Sequence, residues 1–250
     1  MQARETFPPI PWGPSDLVKV MASSLAAAAL FAATNATLLR APADPAAAAA
    51  AGAPLHLARE GLLAALLPAA VLAALAPRAP WRAGLLQARW DGAWAVRTLA
   101  ACAVVFPLAD PLLYHAWAPA AEALFGPPAG GALAGQVRAA ADAGDWGGLG
   151  AHLLASGLVG PVWEEVFWRG FFLASLTKVL PLPACVALSS LNFAALHLSP
   201  ANFAPLLLLS ATADALYLRT HNLMPPLLLH CLWNSSQLLA IAFLGKQEFV

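Results

Sequence analysis

Residues 149–176 read LGAHLLASGLVGPVWEEVFWRGFFLASL, a stretch long and apolar enough to cross a bilayer yet interrupted by three charges. A span needs about 20 mostly apolar residues. A charged side chain at mid-membrane costs roughly 2.5–3.5 kcal/mol even on the lenient insertion scale. Glu164, Glu165 and Arg169 are retained against that cost, among tryptophans and phenylalanines. Glu165 and Arg169 are four apart and share a helix face, which suits a structural ion pair. Glu164 points about 100° away from that face, and its own neighbour one turn on is Trp168. A carboxylate with no local partner, set among aromatics, suits general-base work.

Composition extends this reading to the whole chain. Apolar residues make up 60% of 250 positions and charged residues 10%, against about 45–50% and about 25% in soluble domains. So few charges cannot cover a water-facing surface, so lipid must cover much of this one. Zero formal net charge gives no reason to expect a nucleic-acid partner. Cys102, Cys185 and Cys231 are scattered in apolar runs, which fits small buried residues rather than disulfides or a metal cluster. The abundance of Ala, Leu, Pro, Arg and Gly, with Lys only at positions 19, 178 and 246, has the look of a GC-rich genome. It points to the inner, cytoplasmic membrane of a bacterium.

The expected architecture is all-α, a polytopic transmembrane bundle of about seven or eight spans. Candidates lie near 17–39, 57–76, 93–117, 149–176, 183–198, 203–219 and 225–245; residues 149–176 could be one tilted span or a short helix plus a span. The first 16 residues, with Arg4, Glu5 and four prolines, make a long polar start for a cleaved signal peptide, so 17–39 is expected to be retained. Ala41–Pro54 reads as a low-complexity connection, and Ala118–Gly148, with Pro127, Pro128 and five glycines from Gly126 to Gly144, as a loop with little regular structure. Two regions follow: 1–148, N-terminal spans with Ala/Pro- and Gly-rich loops, and 149–245, a core that holds the unusual polar residues. Arg78, Arg82, Arg89 and Arg97 mark a cytoplasmic loop by the positive-inside rule, with Lys178 and Arg219 on the same side. Residues 183–198 span about 24 Å as a helix, short of the roughly 30 Å core. The chain turns at 199–202, so His197 is expected at depth, where irregular backbone must face protein or a hydrated cavity.

Two further polar sets accompany the first. Phe193 and His197 share a helix face, with Ser189 and Ser190 a turn earlier. His230 and Asn234 share another, beyond Pro225-Pro226. A histidine and a carboxamide on one intramembrane face can supply donors to a developing oxyanion, or act as interhelical glue. Asp214 and Tyr217 could line a cavity or satisfy backbone, and Asp110 before Pro111 reads as a helix break. His56, His115, His152 and His221 are assigned no chemistry.

Taken in order, Glu164-Glu165-x-x-x-Arg169, Phe193-x-x-x-His197 and His230-x-x-x-Asn234 resemble the signature of the CAAX prenyl protease and bacteriocin-processing (Abi) family, over about Leu149 to Phe243. The resemblance implies a helical intramembrane endopeptidase of glutamate type, without a cofactor. It implies water activation by Glu164 and His197, oxyanion stabilisation by His230 and Asn234, and a site shaped by Glu165, Arg169 and Phe193. The implied partner is a membrane-anchored protein or peptide substrate: a prenylated C-terminus, a bacteriocin leader or a C-terminal sorting tail. Other readings stay open. Zinc could sit on Glu164, His197 and His230 as a His₂Glu set, although HExxH is absent. A thiol at Cys231 would point about 100° away from His230. A transporter would be expected to show repeat halves, which are not visible, and a scaffold or immunity protein would use the polar sets for packing alone.

Overall fold

The structure, a computed structural model, describes residues 7–126 and 132–244; Arg4, Glu5, Pro127, Pro128 and Lys246 lie outside them. Eight helical runs and no strand occur among these residues: α1 (Pro14–Thr37), α2 (Pro45–Leu75), α3 (Gly92–Phe125), α4 (Ala132–Asp142), α5 (146–176), α6 (Leu182–Leu196), α7 (Phe203–Thr220) and α8 (Met224–Leu244). Two of them are not purely α-helical. In α3 the segment Val105–Ala109 is π-helical, and in α5 so are Ala155–Val159 and Val166–Leu173. Such widened turns are common at functional sites.

Two stretches read as connections are helical. Pro45 to Pro54 forms the first turns of α2, because Asp44 caps it by accepting from the Ala47 amide at 2.7 Å. Proline at the first position fits an N-terminus, and alanine is the best helix former. Within 118–148, α3 continues to Phe125, and α4 forms before Asp145 caps α5 through the Gly148 amide at 2.8 Å. Nor does Asp110 break α3: it follows the π turn, is buried, and accepts from Gln237 of α8 at 2.8 Å.

Among the described residues four helices are long and apolar enough to cross a membrane: Pro14–Thr37, Ala50–Arg78, Gly92–Phe125 and Met224–Leu244. The other three expected spans, α5, α6 and α7, fall short for distinct reasons. Helix α5 carries Glu164, Glu165 and Arg169, α7 carries Asp214 and Arg219, and α6 has only 15 residues. They can be less apolar because neighbours shield them: α5 packs on α2, α4 and α8, and α7 on α3, α6 and α8. Together with α8 they form the polar centre of an integral membrane protein.

One end of the bundle gathers the start of α1, the 79–91 loop, the end of α5 and the α7–α8 turn. Arg78 pairs with Asp16 at 2.8 Å, Trp12 donates to Ser175, the Lys178 ammonium reaches the Trp12 carbonyl, and Asn222 binds the Arg89 backbone in both directions. Arg78, Arg82, Arg89, Lys178 and Arg219 all collect here. From this end α6 rises and stops early. Its last residue is Leu196, His197 caps it, and Leu198 takes a left-handed conformation (φ 52°) that turns the chain away. The following turn accepts a hydrogen bond from the Trp117 indole at Pro200, 2.7 Å, about 12 Å of helix before α3 ends.

Candidate active site

Arg169 organises the centre. It is fully buried and spends its fork on three partners: Glu165 Oε1 from Nη1 at 2.8 Å, Asp214 Oδ1 from Nε at 2.9 Å, and the carbonyl and hydroxyl of Ser210 from Nη2 at 3.0 and 2.9 Å. Ser190 of α6 donates to the other Asp214 oxygen at 3.2 Å, and the guanidinium carbon stands 5.2 Å from the Phe193 ring centre. One cation thereby ties α5 to α6 and α7. A buried ion pair is tolerable only when its remaining donors and lone pairs are filled in this way. Asp214, expected at a cavity wall, is instead wholly buried in this network, and Tyr217 is buried with its hydroxyl on the Leu85 carbonyl at 2.7 Å.

The two adjacent glutamates approach His230 from different sides of its ring. Glu165 Oε1 accepts from His230 Nδ1 at 2.8 Å, while Glu164 Oε2 stands 3.9 Å from His230 Nε2. Glu164 Oε2 is also 3.9 Å from His197 Nε2. His197 in turn donates from Nδ1 to the Phe193 carbonyl at 2.7 Å, so a neutral His197 carries its lone pair on Nε2, towards Glu164. At 3.9 Å neither contact is a direct hydrogen bond; the separation suits an intervening oxygen. His230 and Glu165 are buried, whereas the Glu164 and His197 side chains keep 15% and 33% of their surface exposed. The partly exposed surface here belongs to Glu164 and His197, although Glu164 Oε2 itself is buried without a hydrogen-bond partner.

Asn234, one turn beyond His230, donates from Nδ2 to the Ser156 carbonyl at 2.9 Å. That carbonyl belongs to the first π-helical segment, and the amide keeps a second proton. Aromatic rings wall the site unevenly. Phe193 lies tilted against His197 (4.5 Å between ring centres) and edge-on to His230 and Trp168, whereas Phe171 packs on Trp12. Among the described residues no three His, Cys, Asp or Glu side chains are gathered so as to hold a metal ion.

Sequence reasoning missed one carboxylate. Glu60 of α2 lies over Gly160, where an added methyl would stand 3.2 Å from its Oε2, and it interacts electrostatically with Glu164. Its signal was plain: with Arg59 it forms a pair of charges inside an apolar span. It was hidden because α2 lies far from the motifs in the chain.

Residues 146–236 match the family model described as type II CAAX prenyl endopeptidase Rce1-like. The matched segment contains all three motifs, and the resemblance drawn from them holds for it. Its broad class is that of a CAAX-type membrane protease, a hydrolase acting on peptide bonds. No curated protein and no solved structure matched the chain.

Proposed function

We propose that the protein is an intramembrane endopeptidase in which Glu164 and His197 activate water and His230 and Asn234 stabilise the tetrahedral oxyanion. The observation that carries this reading is the placement of Glu164 Oε2 at 3.9 Å from the Nε2 atoms of both histidines. A water held among these atoms loses a proton to Glu164 as its oxygen attacks the scissile carbonyl carbon. His197, fixed by the Phe193 carbonyl, relays the proton to the departing amine. With both ring nitrogens protonated, His230 presents Nε2–H to the oxyanion while Glu165 holds Nδ1–H, and Asn234 adds its second amide proton. The substrate is a membrane-anchored protein or peptide tail, in keeping with a site inside a helical bundle where the Glu164 and His197 side chains stay partly exposed. By the positive-inside rule the end carrying Arg78, Arg82, Arg89, Lys178 and Arg219 is cytoplasmic, in a bacterial inner membrane.

The test is peptide profiling by mass spectrometry of membranes from cells making the wild-type protein or Glu164→Gln at equal levels. Membrane peptides whose termini depend on Glu164 are the expected result; identical profiles at equal accumulation would sink the reading.

A zinc-held water on the same atoms is the second reading, favoured by the convergence of two Nε2 atoms on one carboxylate oxygen. Glutamate chemistry predicts that purified protein without bound zinc by elemental analysis cleaves a substrate so identified at the same rate before and after chelation. Activity that falls with chelation and returns with zinc would replace the first reading by the second.

A further inference from the structure

The polar residues of α2 and the upper part of α5 form a second constellation that the glutamate mechanism leaves unused. Ser156 Oγ lies 3.0 Å from His56 Nε2, and His56 Nδ1 lies 2.8 Å from His152 Nδ1. A hydroxyl on one nitrogen of an imidazole, with the other nitrogen fixed by a third group, is the arrangement that activates a serine. His152 is almost fully buried, which fixes its ring. We infer that Ser156, His56 and His152 form a serine-nucleophile site that accepts acyl esters from within the bilayer.

Proton bookkeeping defines how it works. The Nδ1···Nδ1 contact between two neutral imidazoles holds one proton. When that proton is on His56, His56 Nε2 carries a lone pair and accepts the Ser156 hydroxyl proton. His152 then accepts at Nδ1 and keeps its own proton on Nε2. As Oγ bonds to the ester carbonyl carbon, its proton passes to His56 Nε2. Collapse of the tetrahedral species breaks the bond to the alcohol, which leaves with that proton. Water then attacks the acyl-serine by the same route and releases the acid.

Donors for the oxyanion stand on α8. Asn234 already touches the Ser156 carbonyl with one amide proton and has a second. The Ser235 hydroxyl rests against Gly157, where an added methyl would meet it at 2.6 Å. The widened π turn Ala155–Val159 carries the nucleophile. Leu154 and Leu158, two residues to either side, are exposed on the opposite helix face, while Ser156 itself is half-buried.

The test uses the full-length protein in nanodiscs and a fluorophosphonate probe, with the adduct mapped by mass spectrometry. Expected are an adduct on Ser156, its loss in Ser156→Ala, and labelling slowed by roughly 100-fold or more in His56→Gln. Labelling should persist in Glu164→Gln, which separates this site from the protease reading. Turnover of p-nitrophenyl butyrate by Glu164→Gln provides a second readout should His56→Gln fail to fold. No adduct on wild-type Ser156 in nanodiscs where a control serine hydrolase reacts, or an adduct equally fast without the His56 imidazole, overturns the inference. The three side chains would then serve only to bind α2 to α5.

Discussion

Removing a single atom type at Glu164 separates chemistry from structure. Glu164→Gln keeps the shape and volume of the side chain but cannot take a proton from water, so peptide cleavage should fall by roughly 10²–10⁴-fold with the melting temperature nearly unchanged. The next residue behaves oppositely. Glu165 Oε1 is shared by Arg169 and His230 at 2.8 Å each, and Arg169 is fully buried. Arg169→Ala strands Glu165 and Asp214 without their counter-charge, at roughly 3–5 kcal/mol. It should lower accumulation and the melting temperature in detergent, and a melt equal to wild type would show that the pairing contributes nothing. The sequence already carried this contrast, because i to i+4 spacing pairs Glu165 with Arg169 and leaves Glu164 unpaired. Two things were not legible from spacing. One was that both glutamates address the same histidine ring. The other was that Arg169 divides its donors between α5 and α7. Both depend on contacts between segments far apart in the chain.

Helix α6 shows how length alone can place a residue. Fifteen residues make about 22 Å of helix, and the helix stops at His197, short of a hydrocarbon core of about 30 Å. That could be read from the chain, since Ser199-Pro200 interrupts the apolar run. The start of α2 could not: Ala41–Pro54 has the composition of a linker, and only the Asp44 cap and a neighbouring helix make it helical. Gly52 of that stretch faces the Gln136 side chain of α4 at 3.3 Å from an added methyl. Helix α5 meets α8 through a second close approach, at Gly157. A methyl there meets only the Ser235 hydroxyl, which can rotate, but a longer side chain reaches the Ser235 Cα, 3.8 Å from the added carbon. Gly157→Leu should therefore force α5 and α8 apart and stretch the Asn234–Ser156 contact, costing roughly 1–3 kcal/mol. Gly157→Ala should cost much less. Thermal melts of the two variants in the same detergent check the order, and equal melts would mean that the helices do not touch there.

The depth of the site follows from how the helices are assembled. Measured along the helices from the cation-rich end, His230 lies about 9 Å into α8, Glu164 about 18 Å up α5 and His197 about 22 Å up α6. Helices crossing at an angle bring these heights together well inside a hydrocarbon core of about 30 Å. Composition disclosed the membrane and a bundle of this size, eight helical runs among the described residues, four of them long and apolar enough to cross. It could not reveal that α5, α6 and α7 are sheltered by more apolar neighbours and so can carry charge. A site at that depth hydrolyses peptides only if water reaches it, and single cysteines in a protein lacking Cys102, Cys185 and Cys231 measure this. A small water-soluble thiol reagent should modify cysteines at 164 and 197, whose native side chains are partly exposed. It should spare one at 193, where Phe193 is fully buried. A bulky impermeant reagent should react poorly with all three. Protection of 164 and 197 from the small reagent would mean that lipid rather than water faces Glu164, and the polar centre would then be a packing device instead of a hydrolytic one.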